Sequence, residues 1–82
     1  MTPNWRTMTP AEVLDAFPAL TLTMAAYCTS LVYSRGAKQG EPNRDLVIDR
    51  VRAGKLRVSD PTVAQHRWTI SADEVRRYNR GA

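Results

Sequence analysis

Eighty-two residues give room for one domain with one modest hydrophobic core, which excludes a two-lobed enzyme with a cleft between its lobes. A hydrophobic fraction of 43% beside a charged fraction of 24% excludes a disordered tail. The net charge of +4 is unevenly spread: residues 1–49 carry four basic and five acidic side chains, net −1, and residues 50–82 carry eight basic and three acidic, net +5.

Residues 1–8 show no periodicity and are expected as a flexible N-terminal arm from which Trp5 is able to dock on the body. The start of the chain lacks the charged-then-apolar order of a signal peptide, so a cytoplasmic, nucleoid-associated location is expected. Residues 9–82 then read as a single domain. Thr9-Pro10-Ala11-Glu12 supplies a capping side chain, a proline at the first helical position and a glutamate three residues after the cap. The helix it opens carries Val13, Leu14 and Phe17 and stops near Pro18.

A second helix is expected after Thr21 or Thr23. It carries Met24, Ala25, Tyr27, Cys28, Leu31 and Val32 at helical spacing and ends at Ser34-Arg-Gly36. The apolar stretch from Ala19 to Tyr33 is interrupted by Thr21, Thr23, Thr29 and Ser30, so no membrane contact is expected. Cys28 reads as a buried structural thiol, since no cation adjoins it to stabilise a thiolate. Gly36 to Pro42 reads as a flexible loop.

Asn43 is expected to cap a third helix over residues 43–53, closed by Gly54 in the left-handed position past its end. Val47, Ile48 and Val51 share its inner face, and Asp45, Asp49 and Arg52 its outer one, where Arg52 is placed to pair with Asp49. Leu56-Arg57-Val58 alternates like a short strand, Ser59-Asp60-Pro61 turns, and Arg67-Trp68-Thr69-Ile70 alternates again. This predicts a β-hairpin over residues 56–70 with Val58, Trp68 and Ile70 inward. Ser71-Ala-Asp-Glu74 repeats the capping pattern and opens a closing helix over residues 72–80, carrying Val75 and Tyr78 and ending at Gly81.

One cysteine and one histidine leave no zinc set and no nucleophile–base pair, and no Gly-rich phosphate loop follows a strand. No metal, cofactor or catalytic residue is expected, and the chain does not read as an enzyme. Asp45 and Asp49, with arginines on both sides, look like ion-pair partners and not a catalytic carboxylate pair.

The element order is mainly α with a small β-hairpin, a winged helix-turn-helix with an extra N-terminal helix. Such a domain places one helix in the major groove and the hairpin tip on the backbone or the adjacent minor groove. The basic C-terminal half suits that partner, because cations that neutralise phosphates release condensed counterions. The run from Asn43 through Gly54-Lys-Leu56, then Arg67-Trp-Thr-Ile70 and Asp73-Glu-Val-Arg-Arg-Tyr78, resembles the phage excisionase and MerR-type winged-helix family. Met24-Ala-Ala-Tyr27 resembles that family's first helix.

The resemblance implies that Arg44, Asp45, Leu46 and Asp49 face bases, that Arg50, Arg52, Lys55 and Arg57 lie near phosphates, and that Val47, Val51, Leu56, Trp68 and Ile70 form core. It covers about half of the chain. The chain differs from the family in its long 34–42 connection, in the outward Asp45 and Asp49, and in the helix before the motif, which serves either dimer contacts or the core. At the wing tip, Gln65, His66 and Arg67 either donate to phosphates or form a solvated loop. Arg76, Arg77 and Arg80 either extend the phosphate footprint or form a solvated face. The expected function is sequence-specific binding of double-stranded DNA, as an excisionase beside an integrase or as a small transcription regulator, with several copies on adjacent sites. The competing expectation is a protein-interaction module that docks through the Asp45 and Asp49 face.

Overall fold

Thr9 and Glu12 cap each other reciprocally: the Thr9 hydroxyl accepts from the Glu12 N–H at 3.2 Å and the Glu12 carboxylate accepts from the Thr9 N–H at 2.9 Å. Helix α1 (Pro10–Ala16) follows, and its Val13 is fully buried. The structure, a computed structural model, describes residues 4–81. Strand β1 (Ala19–Thr21) runs directly into helix α2 (Leu22–Thr29), whose start Thr21 caps by accepting from the Met24 N–H at 3.2 Å. Helix α3 (Arg44–Arg52), strand β2 (Thr69–Ser71) and helix α4 (Ala72–Gly81) complete a mainly helical fold with a small two-stranded sheet.

Helix α2 lies at the centre and packs against α1, α3, α4 and both strands. Its Met24, Ala25, Ala26 and Cys28 are buried, and the small alanines let the neighbouring elements approach. Burial pushes the Cys28 thiol up to about 11, which fits a packing role. Helix α1 completes this core through Val13. No helix among the described residues is long and apolar enough to cross a membrane.

The sheet differs from the expected hairpin. Strand β2 pairs antiparallel with β1, placing fully buried Leu20 opposite fully buried Ile70. Residues 56–58 form no strand, and one backbone bond, from the Ser59 N–H to the Thr69 carbonyl at 2.8 Å, joins that segment to β2. The cause is that the donors there are already taken. The Lys55 and Leu56 N–H groups return to the Arg50 carbonyl to close α3, and the Arg57 N–H donates to Glu74 at 2.8 Å. Leu56, 1% exposed, still reaches the core, and Val58 and Trp68 pack against it half-buried.

Helix α2 also stops earlier than its apolar spacing predicts. Ser30 is left-handed (φ 61°), and the Ser30 and Leu31 N–H groups both donate to the Ala26 carbonyl. Beyond it the chain forms an ordered hairpin where a flexible loop was expected. Val32 bridges Pro42, Tyr33 donates to the Glu41 carbonyl at 3.0 Å, and Asn43 donates to the Leu31 carbonyl at 2.8 Å. An apolar residue at positions 31 and 32 suits a helical stripe and a half-buried bridge equally, so the spacing did not separate them.

The expected arm is docked from residue 4 onward. Asn4 caps a 3₁₀ turn over Trp5–Thr7, the Trp5 ring lies 5.3 Å from the Tyr27 ring, and the Tyr27 hydroxyl donates to the Met8 carbonyl. The remainder of the arm, residues 1–3, and Ala82 lie outside the described residues.

Candidate nucleic-acid interface

Helix α3 is fixed at both ends by local chemistry. Asn43 Oδ1 accepts from the Asp45 N–H at 3.1 Å, and Gly54 takes φ 77°, which lets the chain turn back beneath the helix. Val47 and Ile48 are buried and Val51 is half-buried, so the opposite face, with Asp45 and Asp49, is exposed. Leu46 and Arg50 are half-buried, and Arg44 and Arg52 are exposed.

The second contributor is the segment before β2. Gln65–Arg67 forms a 3₁₀ turn, closed by the Arg67 N–H on the Ala64 carbonyl at 2.8 Å and the Trp68 N–H on the Gln65 carbonyl at 3.1 Å. Trp68 is half-buried and its Nε1 donates to the Val63 carbonyl at 3.2 Å, so its ring anchors the loop and is not a free stacking platform. Arg52 Nη2 donates to Gln65 Oε1 at 2.9 Å and ties α3 to this loop. The expected Asp49–Arg52 ion pair is therefore replaced by an Arg52–Gln65 bond, and Asp49 stands in water.

An open groove of about 390 Å³ lies where these parts meet. It is lined by Arg44 of α3, by His66, Arg67, Trp68 and Thr69, and by Thr21, Leu22 and Thr23 at the start of α2. Sequence reasoning identified Arg44, His66 and Arg67 and missed Thr21 and Thr23. The capping role of Thr21 was the signal present, since a cap residue stands beside the free N–H groups of its helix.

The remaining expected residues fall into a second cluster. Arg50 Nε donates to the Tyr78 hydroxyl at 3.3 Å and, with Lys55 and Arg77, lines another open groove of about 460 Å³. Arg57 is exposed, and its backbone is held by Glu74. The structure thus groups Arg44, Arg52, Gln65, His66 and Arg67 along one side of α3 and Arg50 and Lys55 along the other.

Charge pairing separates these cations from Arg76 and Arg77 of α4. Among the described residues the ion pairs are Arg76 with Asp15 and Asp73, and Arg77 with Glu74. None of Arg44, Arg50, Arg52, Lys55, Arg57 or Arg67 takes part. Arg76 and Arg77 are structural: Arg77 also donates to the Lys55 carbonyl at 2.9 Å, so the Arg77–Glu74 pair clips the 55–57 segment onto α4. The Arg77 guanidinium, ahead of the Arg57 N–H, holds the Glu74 carboxyl below its ordinary range against the opposing effect of burial. The Ser71 cap is consequently half a capping box. Ser71 Oγ accepts from the Glu74 N–H at 3.1 Å, while the Glu74 side chain turns away to Arg57 and Arg77.

Compared with protein-family models, with curated proteins and with solved structures, the chain gives no match.

Proposed function

We propose that the chain binds double-stranded DNA without catalysis, as a winged helix-turn-helix domain in which α2 and α3 form the helix pair and residues 56–68 act as the wing. The observation that carries this reading is the convergence of Arg44, His66 and Arg67 on one open groove, with Arg52 bridging α3 to the same loop and, among the described residues, no carboxylate paired with these arginines. Cations left free on a rigid frame are what a phosphate backbone requires, since each neutralised phosphate releases condensed counterions. The major groove, about 12 Å wide, admits an α-helix, whose diameter with side chains is about 10–12 Å, and α3 offers nine residues, between two and three turns, to lie along it. In the cell this activity suits an excisionase beside an integrase, or a small transcription regulator, with several copies on adjacent sites.

A second reading rests on Asp45 and Asp49, which are exposed and stand outside every ion pair among the described residues. Carboxylates on the outer face of α3 repel phosphates and suit a basic protein partner, unless they accept from cytosine N4. Selection of bound duplexes from a random pool separates the two. DNA binding predicts an enriched motif and an affinity that falls steeply with salt. Recovery of unenriched sequences, together with loss of a protein partner in Asp45→Ala and Asp49→Ala, overturns it in favour of protein binding.

A further inference from the structure

We infer that the hairpin over residues 31–43 is a second phosphate-contacting element on the N-terminal side of α3, a role that rests on the DNA-binding reading above. The base of the hairpin is rigid. Besides the Val32–Pro42 bridge and the bonds at Tyr33 and Asn43, Gly40 donates to the Tyr33 carbonyl at 2.9 Å, Gln39 to the Gly36 carbonyl at 3.1 Å and Glu41 to the Lys38 carbonyl at 2.8 Å. Gly36 and Gly40, at φ 87° and 86°, supply the left-handed positions that so tight a turn needs.

Above that base, every residue from Ser34 to Glu41 is exposed, and the stretch holds Arg35 and Lys38 against the single carboxylate of Glu41, net +1. Lys38 Nζ lies 5.6 Å from the centre of the half-buried Tyr33 ring, which limits its wandering at small cost in exposure. An ordered tip that presents two cations to solvent suits an anionic partner. Its position beside α3 points to the same duplex. The hairpin ends on Asn43, the cap of α3, and its Pro42 lines a groove with Thr23, the residue that also lines the Arg44–Arg67 groove. A duplex lying along α3 therefore has the 65–67 loop on its phosphates at one place and the hairpin tip within reach of phosphates at another.

The test compares wild type, Arg35→Ala/Lys38→Ala and Arg67→Ala on a duplex selected from a random pool, reading affinity across salt and the hydroxyl-radical footprint. The double variant keeps the wild-type melting temperature, because both side chains are exposed. It is expected to flatten the salt slope by about two and Arg67→Ala by about one. The double variant is also expected to lose backbone protection at one edge of the footprint only. A double variant with wild-type slope and footprint, beside an Arg67→Ala that loses slope, overturns the hairpin contact and leaves DNA binding standing. A wild-type protein with no salt-dependent duplex binding overturns both.

Discussion

Leu56 is buried to 1% exposure between exposed Lys55 and Arg57, so the backbone around it must be held while its side chain points inward. Leu56→Ala is expected to cost about 2–5 kcal/mol, the transfer loss plus the cavity, read as a lower urea midpoint with an unchanged slope. Glu74 holds the same segment from the other side, 12% exposed at its side chain and paired with an Arg77 that is 52% exposed. Because water screens the arginine, Glu74→Gln is expected to cost only about 1 kcal/mol at pH 7. The pH dependence is the sharper test. The folded carboxyl titrates below its ordinary value of 4.5, so its stabilisation is complete above pH 4.5 and is lost as pH falls through the lowered value. Urea midpoints from pH 6 to pH 3 should fall less steeply in Glu74→Gln than in wild type. A variant with the wild-type acid slope would show that the pair adds nothing. Glu12 and Asp60, lowered chiefly by the Thr9 N–H and the Thr62 hydroxyl, continue to titrate in both proteins.

The elements show why some of the fold was legible in the sequence. Caps were readable at Thr9, Thr21, Asn43 and Ser71 because each joins a side chain to a backbone N–H two or three residues away. The β1–β2 pairing was not, because it joins residues 19–21 to residues 69–71 and each strand is too short to show alternation. Arg57 likewise fits a strand by its spacing, and only a tertiary contact, Glu74 of α4 on its N–H, takes it out of one. Of the site, Arg44, His66 and Arg67 were legible as cations in the expected helix and loop, whereas the exchange of Asp49 for Gln65 as the partner of Arg52 depends on tertiary proximity. The ends of α3 give a direct check. Asn43→Ala should cost about 1 kcal/mol through its lost cap, and Gly54→Ala about 1–2 kcal/mol through its left-handed backbone, since the space around Gly54 is open. If thermal melts show neither loss, α3 is held by packing alone.

Across the whole molecule, charge and architecture divide the labour. Helix α4 pairs Arg76 with Asp15 of α1 and with its own Asp73, and Arg77 with its own Glu74, which with the Arg57 N–H and the Lys55 carbonyl closes the fold. Helix α3 and the loops beside it keep their arginines outside the ion pairs of the described residues, and that is the face proposed above to meet DNA. The extra helix α1 is part of the core through Val13, so its removal is expected to unfold the domain and not merely to separate copies of it. The most direct test is equilibrium binding of a selected duplex from about 50 to 200 mM salt, a range over which a multi-phosphate contact loses orders of magnitude in affinity. The expected result is a steep linear fall of log affinity with log salt in wild type, flattened by about one in Arg44→Ala and again in Arg67→Ala. A flat wild-type response, or equal slopes in wild type, Arg44→Ala and Arg67→Ala, would contradict the account.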